Sequence, residues 1–186
     1  LEREPPATVG AEFAFDEIFI TFKGRPDHQL IVFFGKDSFS NFRNIKVTSR
    51  ITTDDVILFI TETTAIYQAY GHRIKKILMD QSSTHLSATP FLESQGYQIQ
   101  YCDIGRHVTT LEADVDQVKR KLMAQLLGLE ARLSHEYYEY GLYWTIDSLN
   151  LTFNADNDYT INVPKTPSAI ISYENDFGVS ARSLAT

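Results

Sequence analysis

A chain of 186 residues is long enough for one domain with its own core, and a hydrophobic share of 43% excludes a disordered composition. The single cysteine, Cys102, excludes an internal disulfide framework and points to a reducing, intracellular setting; no apolar run is long enough to span a bilayer, and the N-terminus does not read as a signal peptide. A formal charge of −7 weighs against any affinity that rests on a broad basic surface, while leaving room for nucleic acid held by a few Lys and Arg and by metal that masks the acids.

Residues 1–12, LEREPPATVGAE, mix charges, two prolines and a glycine and read as a linker outside the fold. Phe13 to Phe22 (FAFDEIFITF) is dense in aromatic and β-branched residues with neither alternating set polar, which predicts a strand buried on both faces. Asp16 then sits mid-strand among apolar residues, where an unpaired carboxylate is costly. Arg25 to His28 predicts a turn, QLIVFFG a second strand, DSFSNF another turn and RNIKVTS a third strand, together an antiparallel meander. Thr52, three residues before Asp55, has the form of a capping box and opens a helix with Val56, Phe59, Ile60, Thr63, Tyr67 and Tyr70 at helical spacing, ended by Gly71.

Ile74 to Met79 is a short strand that delivers Asp80 into the polar turn DQSST. Ser87 to Ser94 predicts a short helix with Pro90 near its first turn, and Gln98 to Asp103 alternates as another strand. A long helix runs from Thr109 or Thr110 to about Leu127, with Leu111, Val115, Val118, Leu122 and Leu126 facing inward and Glu112 in its first turn. Leu133 to Leu151 is a further helix, rich in Tyr and carrying Trp144, and TPSAIISYE starts a short helix in a tail over 155–186. A meander feeding a strand–helix–strand crossover predicts a mixed α/β sheet of five strands with helices on both faces.

In that topology the first strand and the strand ending at Asp80 are neighbours, so Asp16 and Asp80 can meet at one sheet edge and Glu112 can close a triangle. Two unit charges ~4 Å apart repel by about 4 kcal/mol at an effective dielectric near 20, so such acids need a cation or a raised pKa. Oxygen donors suit Mg²⁺ or Mn²⁺, and two such ions can activate a hydroxyl and stabilise a leaving oxygen at phosphorus. Each acid also has a plainer reading: Asp80 as a turn former, Glu112 as a helix N-terminal acid, Asp16 as the partner of a buried Arg.

Four segments carry a family resemblance: FAFDEIF, GKDSFSNFRNIKVTSRITTDDV, IKKILMDQSSTHLSATPFLESQGYQIQY and GRHVTTLEADVDQVKRKL, with a tail in which Leu-Asn and Thr-Pro recur. In order and spacing they resemble the catalytic core of retrotransposon and retroviral integrases, most closely the Ty1/copia type. The resemblance covers residues 13–154 and part of the tail and implies an RNase H-like fold. It implies a polynucleotidyl transferase performing DNA 3′-end processing and strand transfer, or a nuclease of the same fold. Asp16, Asp80 and Glu112 would be catalytic metal ligands for Mg²⁺ or Mn²⁺, and Lys119, Arg106 and His107 would contact DNA, His107 having a loop-capping role as its plainer reading. Ser82 and Ser83 would shape the turn after Asp80 through ordinary turn chemistry. Implied partners are DNA, a second copy or higher oligomer and host chromatin or transcription proteins, with no membrane, in a nuclear setting.

Several positions depart from the pattern. The Asp80–Glu112 interval is tighter than usual, Ala113 stands where Arg is common, and Ile104 replaces a proline. Asp114 and Asp116 place negative charge where a DNA backbone is expected to pass. That charge, with the −7 total, supports an alternative from another class: an integrase-derived domain without catalysis that serves as a protein-interaction module. Tyr137 to Trp144 (YYEYGLYW) is a candidate pairing surface, with core packing as its plainer reading.

Overall fold

The structure, a computed structural model, describes residues 8–22, 25–102, 108–126 and 135–151. Strand β1 (Phe13–Phe22) is the centre of a five-stranded sheet in the order β3-β2-β1-β4-β5. It pairs antiparallel with β2 (Arg25–Asp37), and β2 with β3 (Arg43–Thr48), forming the meander. On its other side β1 runs parallel to β4 (Lys76–Met79), which runs parallel to β5 (Gln98–Tyr101). The helices are α1 (Thr53–Ala69), α2 (Ser83–Ser94), α3 (Val108–Leu126) and α4 (His135–Asn150).

The period-2 geometry of a strand sorts the side chains of β1 between two cores. Phe13 and Phe15 join Val56, Phe59, Ile60 and Tyr67 of α1 and Ala88 and Leu92 of α2. Ala14, Ile18, Ile20 and Phe22 join Leu111, Val115, Val118 and Leu122 of α3 and Tyr138, Leu142, Ile146 and Leu149 of α4. Helices therefore cover both faces; β1 is buried on both only over its first residues, for Phe19 and Thr21, on the parity of Phe13 and Phe15, are exposed. Residues 8–12, read from sequence as linker, take part: Val9 is in the first core, and the Gly10 carbonyl accepts the Lys75 N–H at 2.9 Å.

Local chemistry accounts for most element ends. Thr52 Oγ1 accepts the Asp55 N–H at 3.2 Å, two acids sit in the first turn of α1, and Gly71 takes φ 78 just beyond its end. Several boundaries differ from the sequence-based ones, three of them informatively. RPDH belongs to β2 rather than to a turn, because the β1–β2 register shifts between Thr21 and Phe22 and carries pairing to Arg25. Up to Leu30, β2 pairs only with β1, so the missing N–H of Pro26 has an open side to face. Helix α2 starts at Ser83 instead of Ser87, because Ser82 caps it by accepting the His85 N–H at 3.3 Å; Pro90 then lies inside the helix. Strand β4 starts at Lys76 rather than Ile74; the Lys75 N–H goes to the Gly10 carbonyl at 2.9 Å, outside the β1–β4 ladder, while its carbonyl accepts the Gln98 N–H at 2.9 Å.

Candidate metal centre

Asp16 shares the parity of Ala14 and Ile18, so it belongs to the β1 face covered by α3. The parallel ladder pairs Ala14 with Leu78. Two residues further along both chains stand Asp16 and Asp80, the latter just past the end of β4. Burial, and next the negative charge of Asp80, push the Asp16 carboxyl up from 3.8 to about 6, against the opposing hydrogen bond from the Glu17 N–H at 2.8 Å. The two aspartates are therefore electrostatic neighbours, Asp16 within β1 and Asp80 just past the end of the parallel strand β4.

Glu112 is exposed on α3, beside buried Leu111; because the helix starts at Val108 rather than at Thr109 or Thr110, Glu112 is its fifth residue and lies just past the first turn. Asp114 shows which way that helix is rolled. It is buried between β2 and β3, taking Arg43 Nη2 at 2.5 Å on Oδ1 and Lys36 Nζ on Oδ2. At about 100° per residue, Glu112 and Lys119 flank the buried stripe of α3 on the side away from Asp114, and so away from β2 and β3. Asp114 is thus the partner of a buried Arg, the role that the plainer reading gave to Asp16, and its charge is neutralised by two cations. Asp116 remains exposed. Lys119 is half-buried two turns beyond Glu112. Arg106 and His107 lie outside the described residues.

The closest gathering of ligand-type side chains was missed by sequence reasoning. Glu17, Asp80 and His85 each place a potential ligand atom within 4.8 Å of the others, and among the described residues no second group of three does so. Asp16, Asp80 and Glu112 are therefore not mutually within that distance. Acids that serve two ions about 3.5–4 Å apart need not share one coordination sphere. His85 is buried against the Phe15 ring, with centroids 4.9 Å apart. Its Nδ1 lies 2.5 Å from Asp80 Oδ1, and its Nε2 lies 2.9 Å from Glu17 Oε1. The second contact is off-axis: neither His85 Nε2 nor Glu17 Oε1 has a well-aimed hydrogen bond among the described residues. Burial alone would lower His85, but Glu17 and then Asp80 outweigh it and hold the imidazole above its ordinary value. The one signal in the sequence was a histidine at the third position of the helix that follows Asp80, and a second acid directly after Asp16.

The donor chemistry fits a hard divalent cation. Carboxylate oxygens are the ligands that Mg²⁺ and Mn²⁺ prefer, and the raised Asp16 carboxyl records uncompensated negative charge that a cation relieves. His85 suits the role of donor better than that of ligand, since each ring nitrogen already has a carboxylate oxygen against it.

With this order, pairing and helix placement, the chain has the RNase H-like fold of integrase catalytic cores. Solved structures similar to it include retroviral ones. The HTLV-2 integrase catalytic core domain, in complex with magnesium in a dimeric form, matches with a TM-score of 0.67 at 14% identity over 89% of this chain and 99% of that one. The BIV integrase catalytic core domain matches with a TM-score of 0.62 at 14% identity, over 91% and 98% of the two chains. A chain of the simian T-cell lymphotropic virus intasome in complex with PP2A regulatory subunit B56 gamma matches at 0.70 and 11% identity, over 91% of this chain and 57% of that one. No family model matches the sequence, and no curated protein matches it. At such identities the likeness is one of fold. Among the described residues no helix is long and apolar enough to cross a membrane.

Proposed function

We propose that this chain is the catalytic core of an integrase of the Ty1/copia type, a polynucleotidyl transferase that cuts and joins DNA phosphodiesters. The observation that carries the reading is the pairing of Asp16, within β1, with Asp80, just past the end of β4, on the face where α3 turns Glu112 away from its Asp114 anchor. Asp16, Asp80 and Glu112 would hold Mg²⁺ or Mn²⁺, which when bound supplies Lewis acidity and charge neutralisation at the reacting phosphate. The residues themselves do the rest. Strands β1 and β4 fix two carboxylates at a constant spacing, so the charge that binds the cation is assembled before substrate arrives. Asp16, partly protonated near pH 6, gives up its proton as the cation is taken. Lys119, on the Glu112 side of α3, would meet a backbone phosphate, and Arg106 and His107 would act from the preceding loop. The natural partners on this reading are DNA, a second copy of the chain and host chromatin or transcription proteins, in the nucleus. Two neighbours support self-association by analogy, as HTLV-2 cores in dimeric and trimeric form with magnesium.

The test is Mn²⁺-dependent nicking or strand joining of a short DNA duplex, with Glu112→Gln as control. Activity is expected in the parent and its loss in the variant; activity that survives the substitution removes the mechanism. One observation favours the silent interaction module: Tyr137, Tyr140 and Trp144 on α4 are 60%, 73% and 61% exposed, so core packing accounts for Tyr138 and Leu142 but not for them. A parent protein that neither nicks nor joins DNA with Mn²⁺, yet is folded, selects that module.

A further inference from the structure

Asp80 is an exposed side chain, and an exposed carboxylate turns freely about its last torsion. Here it does not have that freedom. Oδ1 accepts the Ser82 N–H at 3.1 Å and faces His85 Nδ1 at 2.5 Å. Both contacts come from the N-terminal end of α2, where Ser82 is the cap and His85 the residue it caps. Among the described residues no hydrogen bond falls on Oδ2. His85 is in turn bounded on two sides, by the tilted Phe15 ring and by Glu17 Oε1, an ion-pair contact 2.9 Å from Nε2 though off the hydrogen-bond axis. Phe15 and Glu17 share one parity on β1, and Asp16 between them has the other. One strand thus presents an acid to the α3 face and grips, from the opposite face, the histidine that holds the second acid.

We propose that His85 is a positioning residue for Asp80, gripped by Glu17 and Phe15, which commits Oδ1 to protein donors and leaves Oδ2 as the single oxygen offered to a divalent cation. The inference rests on the reading of Asp80 as a metal ligand. It makes Asp80 monodentate and removes the rotational freedom that ion binding would otherwise have to overcome. Outer partners of this kind commonly change metal affinity by about 10–100-fold when lost.

The two ring nitrogens can be separated by amide substitutions. An Asn amide nitrogen falls near the place of Nδ1, and a Gln amide nitrogen near that of Nε2. Mn²⁺ binding to the whole chain, followed by electron paramagnetic resonance, is measured for the parent, Asp80→Asn, His85→Asn and His85→Gln, with thermal melts in parallel. Asp80→Asn should abolish binding. His85→Gln should weaken it by about tenfold or more, and His85→Asn should restore it to within about threefold of the parent. Equal affinity in His85→Gln and the parent overturns the positioning role while leaving Asp80 a ligand. Equal losses in both amide variants reduce His85 to packing and overturn it too. Unchanged binding in Asp80→Asn removes the ligand reading and the positioning role with it. Should the variants fail to fold, imidazole ¹⁵N spectra of the parent decide: saturating Mg²⁺ should shift His85 while Nδ1 keeps its proton, and resonances that ignore Mg²⁺ overturn the proposal.

Discussion

Asp16 carries a cost in the metal-free protein that can be measured. Its carboxyl titrates near 6 when folded and near 3.8 when not, because burial and then Asp80 oppose its ionisation. The folded state therefore holds that proton more tightly. The contribution to stability is fully present below about pH 4 and is lost as pH rises through about 6. Asp16→Asn keeps an acceptor for the Glu17 N–H and should stabilise the metal-free chain at pH 7 by about 2–3 kcal/mol, with the gap closing near pH 3.5. Saturating Mg²⁺ at pH 7 should also close it, by stabilising only the parent. Urea denaturation across this pH range checks both; a variant no more stable than the parent at pH 7 contradicts the strained pair. The oddity of a mid-strand acid was legible in the sequence because its neighbours are apolar. Its Glu17–His85 counterpart was not, since the two residues lie far apart along the chain and meet only when α2 docks on β1.

Elements in this fold are locked together by contacts whose loss should be costly. Asp114 ties α3 to β2 and β3 through Arg43 and Lys36, all three largely buried. Removing it leaves two cations in a dry setting, so Asp114→Ala should cost about 3–5 kcal/mol, whereas exposed Asp116→Ala should stay within about 0.5 kcal/mol. Chemical denaturation of the two variants separates roles that looked alike two residues apart in sequence. The β1–β2 pair is held by a different device. A Cβ at Gly35 would come 2.1 Å from the Phe13 ring, which lies across that glycine. Gly35→Ala should therefore destabilise by about 1–3 kcal/mol, seen as a lower melting midpoint, with the ring forced off its rotamer. The cap of α1 and the core stripe of α3 could be read from sequence, because caps and periodicity are local. The start of α2 and the run of RPDH into β2 could not, because a cap choice among several serines and a shifted register are settled by what the segment packs against.

At the scale of the whole molecule, the balance of charge makes a prediction about the proposed DNA substrate. On the proposed function, a net charge of −7 leaves phosphate contacts to a few local cations, and a divalent ion would mask the carboxylates. Binding of a short duplex should therefore require Mg²⁺ or Mn²⁺ and show a shallow salt dependence, with a log–log slope of about −2 to −3 for two or three contacts. A slope steeper than about −5, measured by fluorescence anisotropy from 50 to 200 mM salt, would mean an extended basic surface and contradict this expectation.

Taken alone, the sequence determined the order and type of the elements, the central buried strand, the short parallel strand that ends in Asp80 and the five-stranded mixed architecture. Each of these follows from periodicity, caps and crossover topology, which act over short stretches of chain or through general rules of connection. Only the tertiary structure decided which acids pair with which cations, that Asp114 is an anchor, and that His85 grips Asp80 from the opposite face of the sheet. Those facts depend on side chains brought together across the fold, and the free energy of a charge is set by its final surroundings rather than by its neighbours in the chain.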